Sequence, residues 1–302
     1  MVLRIGTRGS RLAMAQAGRV CSMLKEKGFE VEQKIITTEG DRETGVPLHE
    51  VGGQGLFVRA LDEAIANDEI DAAVHSMKDI PAVRPPGLIT SAVLTRDSPA
   101  DFLAYEKNLS DVIVIGSSST RRAAQIRRHD PDVRIKSLRG NVDTRIRKLS
   151  GGEFDAIVLA EAGLERLGIT LPGERLPPER FVPSPNQGTI VVVSRIDPSL
   201  SEIMSLLDDP ETRQDVAMER AMMEQVGGGC YTPLGVYCKN GHVIAEVLSL
   251  DGTREVRIEE DLSTIDQARE RGRELRVRAR DLIREAYSAL GLKTEPGEMK
   301  EL

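Results

Sequence analysis

With three cysteines, four histidines and no long apolar run, this 302-residue sequence excludes several classes of protein at the outset. Cys21, Cys230 and Cys238 are odd in number and show no paired spacing, which indicates neither a disulfide framework nor a zinc site. His49, His75, His129 and His242 are scattered and add no ligand cluster, so no metal is expected. The opening Val2-Leu3-Arg4-Ile5 reads as a strand and not as the apolar stretch of a signal peptide or membrane span, so the expectation is a cytoplasmic protein with no membrane partner. A net charge of -7 lacks the basic surface by which a general nucleic-acid binder holds phosphates, and no nucleic-acid partner is expected. The Gly-x-x-x-x-Gly-Lys loop of many phosphate-transferring enzymes is missing as well.

What is present is an ordinary folded composition, 40% hydrophobic and 29% charged, in a chain long enough for two or three domains. The first stretch alternates strand and helix. Leu3 to Gly6 is followed by a helix from Ser10 to Lys27, with Leu12, Ala15, Val20, Met23 and Leu24 as its apolar face and Gly28 as its stop, and then by a strand from Val31 to Thr37. Glu39 to Gln54 has no periodicity and reads as a mobile loop beside a site. A helix follows with Phe57, Leu61, Ala64 and Ile65 at helical spacing, then a strand from Ile70 to His75. A second α/β series uses strands at Val112–Ile115, Val133–Ser137 and Asp155–Ala160, with helices from Ser119 or Thr120 and from Asn141. Pro172 to Pro185 reads as a connection, and the strand Thr189–Ser194 is placed to return to the first sheet.

From Asp209 the pattern becomes a helix toward Val226, antiparallel strands over Tyr231–Leu262 with turns at Asn240-Gly241 and Asp251-Gly252, a largely helical Thr264–Leu290 and a frayed end from Lys293. The expected fold is therefore α/β: two lobes with crossover segments and a small C-terminal α+β domain. Its domains are residues 1–94 with 189–208, residues 95–188, and residues 209–302. Such lobes place a ligand cleft at the carboxyl ends of their strands.

Three clusters carry chemistry. Val226-Gly227-Gly228-Gly229-Cys230 sets a thiol on easily bent backbone; it is either a presented nucleophile, needing a cationic neighbourhood, or a small buried hydrophobe after a helix end. Ser117-Ser118-Ser119-Thr120-Arg121-Arg122, Arg139-Gly140-Asn141 with Arg145 and Lys148, and Thr7-Arg8-Gly9-Ser10-Arg11 each put hydroxyls and guanidiniums at a strand-to-helix turn. One such group alone is a capped helix with solvated arginines. Three in an acidic chain point to a small polyanion. Lys78-Asp79, following a buried strand, is either a surface ion pair or a carboxylate set among arginines to stabilise a cation formed in reaction.

Together the phrases Arg4-Ile5-Gly6-Thr7-Arg8-Gly9-Ser10, Val51-Gly52-Gly53-Gln54-Gly55-Leu56-Phe57-Val58, Val74-His75-Ser76-Met77-Lys78-Asp79-Ile80-Pro81, Ser137-Leu138-Arg139-Gly140-Asn141-Val142 and Gly228-Gly229-Cys230 resemble hydroxymethylbilane synthases, also called porphobilinogen deaminases, over nearly the whole chain. The resemblance implies lobes similar to type II periplasmic binding proteins and a transferase of tetrapyrrole and heme biosynthesis. It implies a dipyrromethane cofactor on Cys230 through a thioether, to which four porphobilinogen units are added with loss of ammonia before water releases the linear tetrapyrrole.

A chain of up to about six rings carries on the order of a dozen carboxylates, which the arginines would answer. By the same resemblance Asp79 is catalytic. Cys230, Lys78, Asp79, Ser119, Arg121, Arg122 and Arg145 hold the cofactor, while Arg8, Ser10, Phe57, Arg139, Arg145 and Arg166 bind substrate. A monomer is implied too. Unaided, Phe57 reads as helix core.

Gln54 stands where many members have lysine, Thr120 where leucine is usual, and Pro185-Asn186-Gln187-Gly188 is an unusual form of the family's Gln-Gly phrase. The competing class is a non-catalytic anion-binding protein, which explains the arginines but leaves Cys230 and the third domain without a purpose.

Overall fold

A computed structural model describes residues 2–37, 56–81, 85–106, 108–227 and 231–291. Of Leu56, Phe57 and Leu109 it describes the backbone alone. The loop Glu39–Gln54, the terminal residues from Lys293 and Cys230 itself lie outside the described residues.

In chain order the first elements are β1 (Val2–Thr7), α1 (Arg11–Glu26), β2 (Glu30–Ile35), α2 (Leu56–Ala66), β3 (Ala72–Ser76) and β4 (Leu88–Val93). Next come β5 (Asp101–Tyr105), β6 (Val114–Gly116), α3 (Thr120–His129), β7 (Arg134–Lys136), α4 (Val142–Ser150), β8 (Ala156–Ala160), α5 (Glu161–Leu167) and β9 (Gly173–Leu176). The remainder are β10 (Ile190–Arg195), α6 (Pro198–Ser205), α7 (Pro210–Val226), β11 (Leu234–Lys239), β12 (His242–Leu248), β13 (Glu255–Asp261), α8 (Ile265–Arg278) and α9 (Arg280–Ala289). Among the described residues no helix is long and apolar enough to cross a membrane.

The chain divides into two compact units, the first of residues 1–97, 165–169 and 188–213, the second of 98–164, 170–187 and 214–302. The first unit is built on a five-stranded sheet of order β2-β1-β3-β10-β4. Its β1 is parallel to β2 and β3, and β10 enters antiparallel to β3 and β4, so the strand over 190–195 does return to the first sheet. Leu3, Ile5, Val20, Leu24, Leu94 and Val192 are fully covered in its core.

Helix α1 begins where Ser10 Oγ accepts from Ala13 N at 3.3 Å, a cap whose loss costs about 1 kcal/mol, and ends before Gly28 at φ 89°. Its buried stripe is Gln16, Ala17, Val20, Cys21 and Leu24. That stripe is rotated from the expected one, because Gln16 donates to Ser76 Oγ (2.8 Å) and so enters the interior with its amide satisfied.

The second unit contains a sheet with the same plan, order β7-β6-β8-β5-β9. Again three strands run parallel and a fourth, β5, is antiparallel to both of its neighbours. Neither β5 nor β9 is among the strands expected above, although Phe102, Leu103 and Tyr105 of β5 suit one. The Asp101–Tyr105 strand exists because it pairs across the chain with Ala156–Ala160, and Gly173–Leu176 forms inside the proline-rich connection because it completes the same sheet.

Also in the second unit is a three-stranded antiparallel sheet, β11-β12-β13, whose core combines Val236, Val243, Ala245 and Ile258 with Met218, Met222 and Val226 of α7 and Leu275 and Ile283 of α8 and α9. The stretch over 264–290 is largely helical as expected, in two helices, α8 and α9, separated at Ala279. It opens on a capping box between Thr264 and Gln267.

Candidate functional site

In the first unit β1 and β3 run parallel, so Arg8 and Ser10 follow one carboxyl end and Met77–Asp79, a single 3-10 turn, follows the other. The small pocket that results, of about 70 Å³, is lined by Arg8, Ser10, Gln16, His75, Ser76 and Asp79, with Val58 and Val74 among its apolar walls. Its floor is fixed. His75 and Gln16 are buried, and the Gln16 amide that donates to Ser76 Oγ leaves the serine proton for another acceptor.

Asp79 and Lys78 are exposed. Among the described residues Asp79 makes no side-chain hydrogen bond or ion pair, and Arg8 is the one arginine that lines its pocket. Of Phe57, only a backbone place near the start of α2 is described.

The second unit repeats this construction. After β6, Ser117 to Ser119 lead into α3, with Ser119 Oγ capping Arg122 N at 3.4 Å. After β7, Ser137 to Asn141 lead into α4. Ser118 Oγ meets Ser137 Oγ at 2.9 Å and donates to Leu138 O at 2.8 Å, which ties the two turns together. Gly140 sits at φ 110°, a left-handed conformation that costs glycine nothing, and its carbonyl accepts from Arg145 Nε at 2.8 Å. Burial, then the nearby charges of Arg122 and Arg139, pull the Arg145 guanidinium down to about 10. Arg145 thus stands among cations, with no carboxylate contributing to its shift.

Arg121 and Arg122 are not the solvated pair that a capped helix would display. Both are buried around Asp101, itself 1% exposed. Arg121 Nη2 donates to Asp101 Oδ2 (2.9 Å), while its Nη1 serves Gln125 Oε1 and Val182 O. Arg122 gives Nε and Nη2 to Asp101 Oδ1 at 3.2 and 2.7 Å and Nη1 to Val158 O. Burial alone would raise the Asp101 carboxyl, yet the charges of Arg121 and Arg122 hold it far below the usual carboxylate range. Gln187 adds a hydrogen bond to Asp101 Oδ1 at 2.8 Å. In each arginine three of the five N–H groups are accounted for by these bonds, so the pair is positioned first and offers hydrogens second.

Arg166 is likewise committed, with Nε on Asp97 Oδ2 (2.7 Å) and Nη2 on Gly188 O (2.6 Å), both within the first unit. Sequence reasoning missed the partners Asp101, Asp97, Gln16 and Ser76. Only Gln16 carried a signal, through its place four residues before Val20 on α1.

Of the three cysteines, Cys21 and Cys238 are buried. Burial pushes up the Cys21 thiol, and burial followed by the charges of Asp215 and Glu219 pushes up that of Cys238, which donates to Asp215 Oδ1 at 3.3 Å. Neither is disposed to react. The donors of the second unit's turns, Arg139, Arg145, Ser119 and backbone N–H groups, are of the kind that accepts carboxylates. The mutual repulsion of Arg122, Arg139 and Arg145 is what such anions relieve. The residues fit a polycarboxylated pyrrole.

Strand ends that gather hydroxyls, helix N-termini and guanidiniums are the construction of an α/β protein suited to anions. Two family models match the chain: "porphobilinogen deaminase, dipyromethane cofactor binding domain" over residues 3–202 and "porphobilinogen deaminase, C-terminal domain" over 214–281. Among curated proteins the chain is 51% identical over 286 residues to a probable porphobilinogen deaminase of Methanosarcina acetivorans, covering 90% of each. It is 43% identical to one of Archaeoglobus fulgidus, covering 91% of this chain and 98% of the relative, and 41% identical to the porphobilinogen deaminase of Syntrophobacter fumaroxidans, covering 83% of each. Among solved structures a nutrient binding protein from Burkholderia cenocepacia bound to methionine shares 13% identity, covering 70% of this chain and 93% of that one at a TM-score of 0.43, a likeness too loose to bear weight. The chain belongs to the porphobilinogen deaminase family. It is therefore a transferase of tetrapyrrole biosynthesis whose cofactor is dipyrromethane.

Proposed function

We propose that the protein acts as a hydroxymethylbilane synthase: it joins four porphobilinogen molecules in turn to a dipyrromethane held by Cys230 through a thioether, with loss of ammonia at each addition, and then releases the linear tetrapyrrole to water. The observation that carries the reading is Asp79, an exposed carboxylate without a protein partner among the described residues, set in one pocket with Arg8 and Ser10. The tethered dipyrromethane supplies the nucleophilic pyrrole carbon from which the product grows. Arg8 and Ser10 hold the acetate and propionate of porphobilinogen, and Phe57 is a further substrate residue. Asp79 accepts the substrate pyrrole N–H, which stabilises the positive charge that spreads onto that nitrogen as ammonia departs. Gln16 orients Ser76 beside it.

In the second unit Ser119, Arg139 and Arg145 bind carboxylates of the cofactor and growing product. Arg121 and Arg122, fixed by Asp101, add their remaining N–H groups. Lys78 is a further cofactor contact, and Arg166 shapes the Gly188 backbone as well as serving substrate. The anchor is assigned to Cys230 because Cys21 and Cys238 are buried with raised thiols. The reading includes a monomer in the cytoplasm with neither nucleic acid nor membrane as partner; the net charge of -7 supports the absence of a nucleic-acid partner. A purely binding protein would use the same cations, but it does not accord with family membership.

The test is the intact mass of denatured protein together with turnover. The wild-type chain is expected to exceed its sequence mass by two pyrrole units, and Cys230→Ser to lack that increment. Asp79→Asn is expected to keep the added mass and lose turnover by about 100- to 1,000-fold. An unmodified wild-type chain refutes the tether; a fully active Asp79→Asn refutes the role of the carboxylate.

A further inference from the structure

A second pocket, in the second unit, is lined by none of the residues assigned above. It has a volume of about 440 Å³, within the range of small-molecule sites. Its walls are Leu103 of β5, Ile115 of β6, Ile126 of α3, Val133 and Leu176 of β9. These side chains each keep 3 to 7% of their surface, whereas Leu3, Ile5, Val20, Leu24 and Leu94 in the first unit's core keep none.

The mouth has its own character. The His129 imidazole stacks on the Phe181 ring, with centroids 4.6 Å apart and planes at 28°, and Arg175 and Arg180 stand at the rim. Arg175 is bound to Glu161 at 2.9 Å. Arg180 is exposed, and its guanidinium makes no hydrogen bond or ion pair among the described residues. Burial first, then the charges of Arg128 and Arg180, lower the proton affinity of His129, with Glu246 opposing them. Glu174 and Asp130 complete the rim, and Asp130 Oδ1 is engaged by Asp132 N.

We propose that this cavity is a binding site for a small aromatic carboxylic acid, its ring among Leu103, Ile115, Ile126, Val133 and Leu176 and its carboxylate on Arg180. Apolar walls select the ring, the His129–Phe181 stack offers an aromatic surface at the entrance, and Arg180 supplies a charge-assisted pair to the head group.

The probe is 2-naphthoate, followed by its own fluorescence against the full-length, cofactor-loaded enzyme. A saturable site is expected that excess porphobilinogen does not displace. Arg180→Ala, a surface change that does not threaten folding, is expected to weaken it at least tenfold. Val133→Phe, which fills the cavity, should abolish it while porphobilinogen turnover stays at the wild-type rate. Absence of saturable binding up to millimolar probe overturns the proposal, as does displacement by porphobilinogen or unchanged affinity in Arg180→Ala.

Discussion

Replacing Asp101 by asparagine removes one charge, keeps the shape, and isolates what this buried carboxylate does. Asp101 is 1% exposed, and the two guanidiniums it separates, Arg121 and Arg122, are 4% and 9% exposed. Asparagine keeps one acceptor oxygen, enough for the two Arg122 bonds at 2.7 and 3.2 Å, but puts an NH2 group, which cannot accept, toward the other guanidinium and leaves two buried cations without an anion. Breaking a buried ion pair from one side costs about 3–5 kcal/mol, and the retained acceptor places this change near the lower figure, about 3 kcal/mol. For a unit of this size that lowers the thermal midpoint by about 6–12 °C.

The pH dependence gives a second reading of the same change. Burial raises the Asp101 carboxyl, the two arginines outweigh it, and the folded group titrates well below an unfolded value of about 3.9. Its stabilisation is therefore complete above about pH 4 and fades as pH falls below that. Urea unfolding of wild type and Asp101→Asn across pH 7 to 3 should show a gap that is constant at first and then narrows toward the acid end. A gap under about 1 kcal/mol at pH 7, or one indifferent to acid, would refute the reasoning that Asp101 compensates both cations.

A further change separates binding from stability. Arg145→Gln removes a cation crowded by Arg122 and Arg139, so the melting temperature should hold or rise while KM for porphobilinogen increases roughly 10- to 100-fold through a lost charge-assisted bond. A KM at the wild-type value counts against its role. His242 lies at the surface with Nδ1 2.7 Å from Asp261 Oδ1, and that hydrogen bond raises its proton affinity. Its contribution to stability is thus fully present below about pH 6.5 and is lost as pH rises through the higher folded value. Proton NMR should place its midpoint above 6.5, and Asp261→Asn should bring it back.

The sequence alone determined the alternation of elements, the helix starts and the gathering of hydroxyls and arginines at strand ends, because these are written in local spacing. Ser10, Ser119 and Thr264 cap the helices that their positions announced, and Thr189–Ser194 joined the first sheet. The quoted phrases also identified the family. The tertiary structure decided which cations are exposed to a ligand and which are held by the protein. Arg121 and Arg122 look like Arg139 and Arg145 in sequence, yet Asp101, some 20 residues away, draws the first pair into the interior, while Arg145 is left among cations.

It also decided the pairing of the short strands β5 and β9 and the rotation of α1 that buries Gln16. In each case the deciding partner is distant in the chain. A carboxylate or a strand edge exerts its effect through space, and local periodicity holds no record of what folding will bring beside it.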